Sequence, residues 1–146
     1  MFILLVEDDQ FYAAMLTERL KAEGFDDLKH VDNGLECLLQ VYEEKTPDVI
    51  IMDQQLGMVN GVEVLQKIRA YKPGLKVIFM SGQRDVKLAV QSIKQGAMDY
   101  IQKDEKAFDL LIPVLRTIET EKKNRSEKSA VKSFLYKMKK LFMEGD

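Results

Sequence analysis

The sequence predicts an α/β fold in which five strands form one parallel sheet with helices on both faces. Two observations carry this. Short apolar runs rich in β-branched residues recur along the first 120 residues, and each is followed by a stretch with apolar residues at helical spacing. Connections of a few residues between them suit right-handed crossovers, which place helices on both sides of a parallel sheet. A third pattern, a basic amphipathic helix, lies beyond residue 130.

The first strand is read at Phe2-Ile3-Leu4-Leu5-Val6, too short for a helix and apolar throughout, as a strand buried on both faces requires. Its helix follows through Phe11, Met15, Leu16 and Leu20, and Gly24 stops it. A weaker strand at Leu28–Val31 precedes a helix from about Gly34 to Glu44, patterned by Leu35, Leu38, Leu39 and Tyr42. The third strand is Val49-Ile50-Ile51-Met52, followed after Gly61 by a helix using Val62, Leu65 and Ile68, which stops near Pro73-Gly74. Val77-Ile78-Phe79-Met80 is the fourth strand, and its helix spans roughly Asp85 to Gln95 with Leu88, Ala89 and Ile93 turned inward. A weaker fifth strand at Met98–Ile101 leads to a helix carrying Phe108, Leu111, Ile112, Leu115 and Ile118. Pro113 either kinks that helix or marks a start close to Asp109.

Composition bounds the function. At 146 residues, 46% hydrophobic and 32% charged, the chain is expected to be one soluble domain with a short appendage. Its one cysteine, Cys37, excludes an internal disulfide framework and a zinc cluster, and is expected in the core. No apolar run approaches the ~20 residues that cross a bilayer, and the apolar start lacks the marks of a secretory signal, so a cytoplasmic location is expected. The net charge of −2 conceals an asymmetry: residues 122–143 hold eight basic side chains and one acid, a charge of +7, against −9 for the rest. Residues 119–130 are almost devoid of apolar side chains and read as a solvated helix end or linker. Val131, Phe134, Leu135, Met138, Leu141 and Phe142 then form an apolar stripe with lysines on the other face. The division expected is residues 1–122 as the main domain and 123–146 as the tail.

In parallel sheets, ligands bind outside the carboxyl ends of the strands where the strand order reverses. The first strand ends in Glu7-Asp8-Asp9. Three adjacent acids repel one another, and burying any of them is costly unless a cation compensates. Mg²⁺ is such a cation, while Asp8 or Asp9 is alternatively a cap for the helix that follows. The third strand ends in Asp53. Beside a divalent metal, an aspartate carboxylate is a competent nucleophile toward phosphorus. The fourth strand ends in Ser81-Gly82, and Lys103 follows the fifth, supplying a hydroxyl and a cation to the same edge. His30, the only histidine, is expected away from this cluster on the surface or partly buried.

This constellation closely resembles the receiver domain of two-component response regulators. The matching stretches are Ile3–Asp9, Asp48–Asp53, Asn60-Gly61, Ser81-Gly82 and Gly96–Lys103, and the likeness covers residues 1 to about 122. The resemblance implies a flavodoxin-like, doubly wound (βα)5 fold. It implies that Asp53 accepts a phosphoryl group from the phosphohistidine of a sensor histidine kinase or phosphotransfer protein. Mg²⁺ (or Mn²⁺) would be bound by Asp8, by Asp53, by Glu7 through water and by the backbone carbonyl of Gln55. Ser81 and Tyr100 would switch on phosphorylation, Lys103 would pair with the phosphoryl oxygens, and the fourth helix, fifth strand and fifth helix would be remodelled for a downstream protein partner. On this reading the protein is a signalling phosphoacceptor rather than an enzyme.

Three positions depart from the family pattern. Gly57 stands where proline is usual, giving a more flexible loop. Asp104 stands where a cis proline usually follows the lysine, so either a costly non-proline cis bond is kept or the loop differs. Gly82 replaces a commoner alanine. Gln55 and Gln83 flank the expected line of water attack on an acyl-phosphate. No helix-turn-helix or other nucleic-acid module follows residue 122, so output through protein contact rather than direct DNA binding is expected. For the tail, packing back on the domain, pairing in a homodimer, an acidic partner groove and an anionic membrane surface all stay open. Two other classes compete with the leading reading. One is a pseudo-receiver interaction module that works without phosphorylation; the other is a small Asp-dependent phosphatase, which lacks here the usual pair of aspartates two apart on one strand.

Overall fold

The structure is a computed structural model and describes residues 1–144. Five strands, β1 (Ile3–Val6), β2 (Leu28–Val31), β3 (Val49–Asp53), β6 (Lys76–Ser81) and β7 (Asp99–Gln102), form one sheet in the order β2-β1-β3-β6-β7. Every pairing in it is parallel. The helices are α1 (Gln10–Ala22), α2 (Gly34–Glu43), α3 (Gly61–Tyr71), α4 (Val86–Lys94) and α5 (Ala107–Met143). The chain steps from β1 to β2 in one direction, then crosses back to β3, β6 and β7. The order therefore reverses between β1 and β3, whose carboxyl ends border the crevice where parallel sheets place their ligands. The expected doubly wound α/β fold is present.

Strand alternation divides the core. Leu4, Val6, Ile50, Met52, Val77 and Phe79 pack with Cys37, Val41, Val64, Leu65 and Ile68 of α2 and α3. Ile3, Leu5, Val49, Ile51, Ile78 and Met80 are equally buried and point to the opposite face. Cys37 is the core residue expected, and burial pushes its thiol up to about 12.

The buried side of several helices differs from the expected one. α2 buries Gly34, Cys37, Gln40 and Val41, while Leu35, Leu39 and Tyr42 are exposed and Leu38 is half-buried. Gln40 is buried because its amide is satisfied: Oε1 accepts from Lys29 Nζ at 2.6 Å and Nε2 donates to the Lys45 carbonyl at 2.7 Å. Tyr42 stacks edge-on with Tyr71 of α3, with ring centroids 4.5 Å apart. In α1, Ala13, Leu16 and Leu20 are buried and Phe11 is exposed. In α4 the buried residue is Ser92, which donates to the Leu88 carbonyl at 2.8 Å, and Ile93 faces outward with Val86 and Val90.

A short antiparallel hairpin, β4 (Gln55–Leu56) with β5 (Val59–Asn60), was not legible in the sequence. Its turn needs Gly57 at φ +65°, a conformation closed to the proline that the family pattern would place there. The Lys103–Asp104 bond is trans, so the loop is the part that differs: Asp104 caps a turn, its carboxylate accepting from Lys106 N at 2.9 Å.

The chain divides into two compact units, residues 1–110 and 111–146. α5 is continuous through the stretch 119–130 read as a helix end or linker, so the two expected helices are one of 37 residues. Pro113 lies inside it, and Thr117 Oγ1 donates to the Pro113 carbonyl at 3.0 Å. Leu111, Leu115 and Ile118 are buried, whereas the side chains of residues 123–137 are all exposed.

Candidate functional site

The three acids after β1 take three different positions. Asp9 is the N-cap of α1, its Oδ1 accepting from Phe11 N at 3.0 Å and Tyr12 N at 3.1 Å. Asp8 is exposed, and Glu7 is buried. Glu7, Asp8 and Asp53 each bring one carboxylate oxygen within 4.8 Å of the others. Such an all-oxygen set on a partly open edge fits a hard divalent ion, which takes few protein carboxylates and keeps water ligands.

Lys103 is the cation of the site. Its Nζ donates to Glu7 Oε1 in a short contact and to Asp53 Oδ2 at 3.0 Å. The backbone places it there: Lys103 N donates to the Ser81 carbonyl at 2.7 Å, extending the β6–β7 register by one residue. Nζ also sits 4.4 Å from the centre of the Tyr12 ring, a cation–π contact from the first turn of α1. Burial pushes the Glu7 carboxyl up to about 7, and the hydrogen bond and negative charge of Asp53 outweigh Lys103 in the same direction. Burial alone would lower the Lys103 pKa, but its bonds to Glu7 and Asp53 prevail and the ammonium is held above its ordinary value.

Asp53 closes β3. Its Oδ1 accepts from the Gln55 amide at 3.0 Å, so Gln55, at the start of β4, is tied to the cluster through its backbone. Behind it, Gln54 is buried, its N donating to the Met80 carbonyl and its Nε2 to Asn60 Oδ1 at 2.8 Å. The same Asn60 oxygen caps α3 through Val62 N. Gly61 is required beside this network, because a Cβ there would lie 2.8 Å from Phe79 Cε1 and 3.0 Å from the Asp53 carbonyl oxygen.

Ser81 is buried at the end of β6, where its Oγ accepts from Gln83 N at 3.2 Å and keeps its own proton free to donate. Gly82 has open space around a Cβ position. Tyr100, on β7, packs against the core with its ring 6.4 Å from that of Phe79, and its buried hydroxyl has no hydrogen-bond partner. Glu7, Asp8, Asp53 and Lys103 are thus brought into one cluster, with Ser81 and Gln55 joined to it through the backbone and Tyr100 one strand over.

Sequence reasoning missed two contributors. Tyr12 supplies the ring under Lys103, and helical spacing alone marks it only as a residue of α1. His30 is not remote: its Nε2 lies 2.7 Å from the Glu7 carbonyl oxygen, so β2 helps to hold the backbone of the buried acid. The parallel register, which sets Leu5 beside His30, is what brings it there.

A family model for the response regulator receiver domain matches residues 3–114. The chain belongs to the response regulator receiver family. Over 109 residues, the receiver is 33% identical to the chemotaxis protein CheY of Listeria monocytogenes, covering 75% of this chain and 91% of that protein. It is 35% identical over 112 residues to the DNA-binding response regulator MtrA of Mycobacterium leprae, covering 77% of this chain and 48% of that one. Among solved structures, the CheY-like receiver domain protein of Methanospirillum hungatei aligns with a TM-score of 0.72 at 27% identity, covering 84% of this chain and 96% of that one. The receiver domain of a LuxO-type repressor of Vibrio parahaemolyticus aligns with a TM-score of 0.74 at 30% identity, over 84% and 93% of the two chains. The receiver accordingly has the CheY-like flavodoxin fold and a signalling role in a two-component system.

Proposed function

We propose that this receiver is a Mg²⁺-dependent phosphoacceptor in which Asp53 takes a phosphoryl group from a phosphohistidine donor, a sensor histidine kinase or phosphotransfer protein, in the cytoplasm. In that step a carboxylate oxygen of Asp53 forms the new O–P bond as the N–P bond of the donor breaks, and the imidazole nitrogen keeps the electron pair. The observation that carries the reading is the position of Lys103 Nζ between Asp53, at 3.0 Å, and the buried Glu7. One ammonium there holds the acceptor carboxylate before transfer and is placed to pair with phosphoryl oxygens after it.

The remaining groups support this reading. Glu7, Asp8 and Asp53, with the Gln55 carbonyl, would hold Mg²⁺ or Mn²⁺, which supplies charge neutralisation for the phosphoryl oxygens when bound. Ser81 retains a hydroxyl proton to donate to a phosphoryl oxygen. The unpartnered hydroxyl of Tyr100 leaves its buried rotamer without full hydrogen bonding, which favours a second arrangement once Ser81 moves. The exposed Val86, Val90 and Ile93 of α4, a helix packed beside β7, form the face on which a downstream protein partner would read the change. Output then runs through protein contact, and the chain is a signalling phosphoacceptor rather than a turnover enzyme.

Intact mass after incubation with Mg²⁺ and acetyl phosphate tests the proposal. The expected result is one added phosphoryl group in the wild-type chain, absent in Asp53→Asn and abolished by chelation. Absence of labelling by both acetyl phosphate and a phosphohistidine donor, with Mg²⁺ binding intact, would overturn the proposal and favour the unphosphorylated interaction module.

A further inference from the structure

The second half of α5 takes no part in the chemistry at Asp53, and its side chains are laid out for a particular kind of surface. Val131, Phe134, Leu135, Leu141 and Phe142 are each 56% exposed or more, and Met138 is half-buried. At about 100° per residue, these six fall on one arc of about 120° and span about 18 Å of helix. Lys128, Lys132 and Lys139 border the arc on one side and Lys137 lies on the other, with Lys140 opposite; all five are exposed. From residue 128 to residue 143 there is no acidic side chain.

A second copy of the same helix is a poor match for this face. The apolar stripe lasts fewer than two heptads, and its arc is broader than a coiled-coil seam because Phe134 and Leu141 widen it. Lysines at its borders, with no acids to answer them, would face one another in a symmetric pair. An interfacial helix has the opposite requirements: apolar side chains led by Phe and Leu on one face, lysines around it, and a low enough hydrophobicity to stay out of the bilayer interior. Among the described residues no helix is long and apolar enough to cross a membrane, so insertion in the plane of the surface is the geometry available.

We propose that residues 128–143 of α5 dock on an anionic lipid surface. The six apolar side chains enter the boundary between headgroups and acyl chains, and the lysines bordering them meet the lipid phosphates. The net positive charge is confined to the tail, whereas residues 1–122 carry fifteen basic and twenty-one acidic side chains. Their repulsion from the same lipids is screened beyond about 8 Å at physiological ionic strength. Docking therefore selects the tail over the acidic part of the chain.

Flotation of the full chain with phosphatidylcholine vesicles, with and without phosphatidylglycerol, tests the proposal. The expected result is flotation only with phosphatidylglycerol, weakened by salt. Lys139→Gln should weaken binding about fivefold, the equivalent of one lysine at an anionic surface. Leu135→Asp should abolish it. Both residues are exposed, so thermal unfolding of the chain should be unchanged in either variant. Equal flotation on neutral and anionic vesicles would overturn the role given to the lysines. No flotation on either would overturn the proposal outright, and light scattering that showed a dimer dissociated by Leu135→Asp would assign the face to a second copy.

Discussion

At the scale of single residues, the site is governed by one buried acid. Glu7 has its carboxyl pushed up to about 7 from an ordinary 4.5, so the folded chain binds a proton there that the unfolded chain has lost. A raised acid contributes stability that is fully present below the unfolded value and lost as pH rises through the folded one. Without metal, stability should therefore fall as pH rises from about 4.5 to about 7. Saturating Mg²⁺ should restore most of it near neutrality, because the ion favours the ionised carboxylate. Urea unfolding at either end of that window, with and without Mg²⁺, measures both effects; a metal-free stability that rises across it would sink this account of Glu7. The end of each strand was enough to place Glu7, Asp8, Asp53, Ser81 and Lys103 on one edge. Which of the three adjacent acids would be buried, exposed or used as a cap was not legible, since that depends on how the chain leaves β1. Tyr12 went unmarked and His30 was placed away from the cluster for a related reason: their roles arise from contacts between elements, and no local pattern shows them.

At the scale of elements, the strands were read almost to the residue because a parallel strand buried on both faces announces itself by continuous hydrophobicity. The helix faces were read less well. In α2 the longest apolar side chains, Leu35, Leu39 and Tyr42, suggested the inner face, yet Gly34 is what allows α2 to approach α3: a Cβ there would lie 2.7 Å from Val64 Cγ2. Close packing selected the small residues, and the Gln40 hydrogen bonds made its burial affordable. Glycine contacts also separate two neighbours of the site. Gly61→Ala would drive a methyl against Phe79 and the Asp53 carbonyl oxygen, so it should cost about 2 kcal/mol and slow phosphoryl labelling of Asp53. Gly82→Ala meets nothing within 4 Å and should leave stability unchanged or raise it by about 0.5 kcal/mol. Denaturant midpoints for the two variants should therefore differ in sign or nearly so; equal losses would show that the two contacts do not decide the outcome. In α5, Pro113 removes an N–H that the helix would otherwise donate, and it is exposed, so replacing it opens no cavity. Pro113→Ala should raise stability by about 1–3 kcal/mol, read as a higher melting temperature.

At the scale of the whole molecule, burial and charge divide the chain at different places from the helix. α5 runs without a break to Met143, but the last fully buried apolar residue along it is Ile118. Everything that the proposed chemistry needs, from Glu7 to Lys103, also precedes that point. The excess of positive charge lies beyond it, where apolar side chains are exposed rather than packed. An element can thus be continuous in backbone and divided in burial and charge. The first part of α5 carries buried apolar side chains, and the second carries an exposed apolar face with its own charge. This division yields a direct expectation for a chain ending at Lys122. It should unfold cooperatively with a melting temperature close to that of the full chain, since among the described residues no fully buried side chain has been removed. It should take up one phosphoryl group at Asp53 as the full chain does, and it should no longer float with anionic vesicles. Calorimetry, intact mass and flotation on the two chains separate these outcomes. A truncated chain that failed to fold would show that the tail stabilises the receiver itself, and the boundary at residue 122 would have to be abandoned.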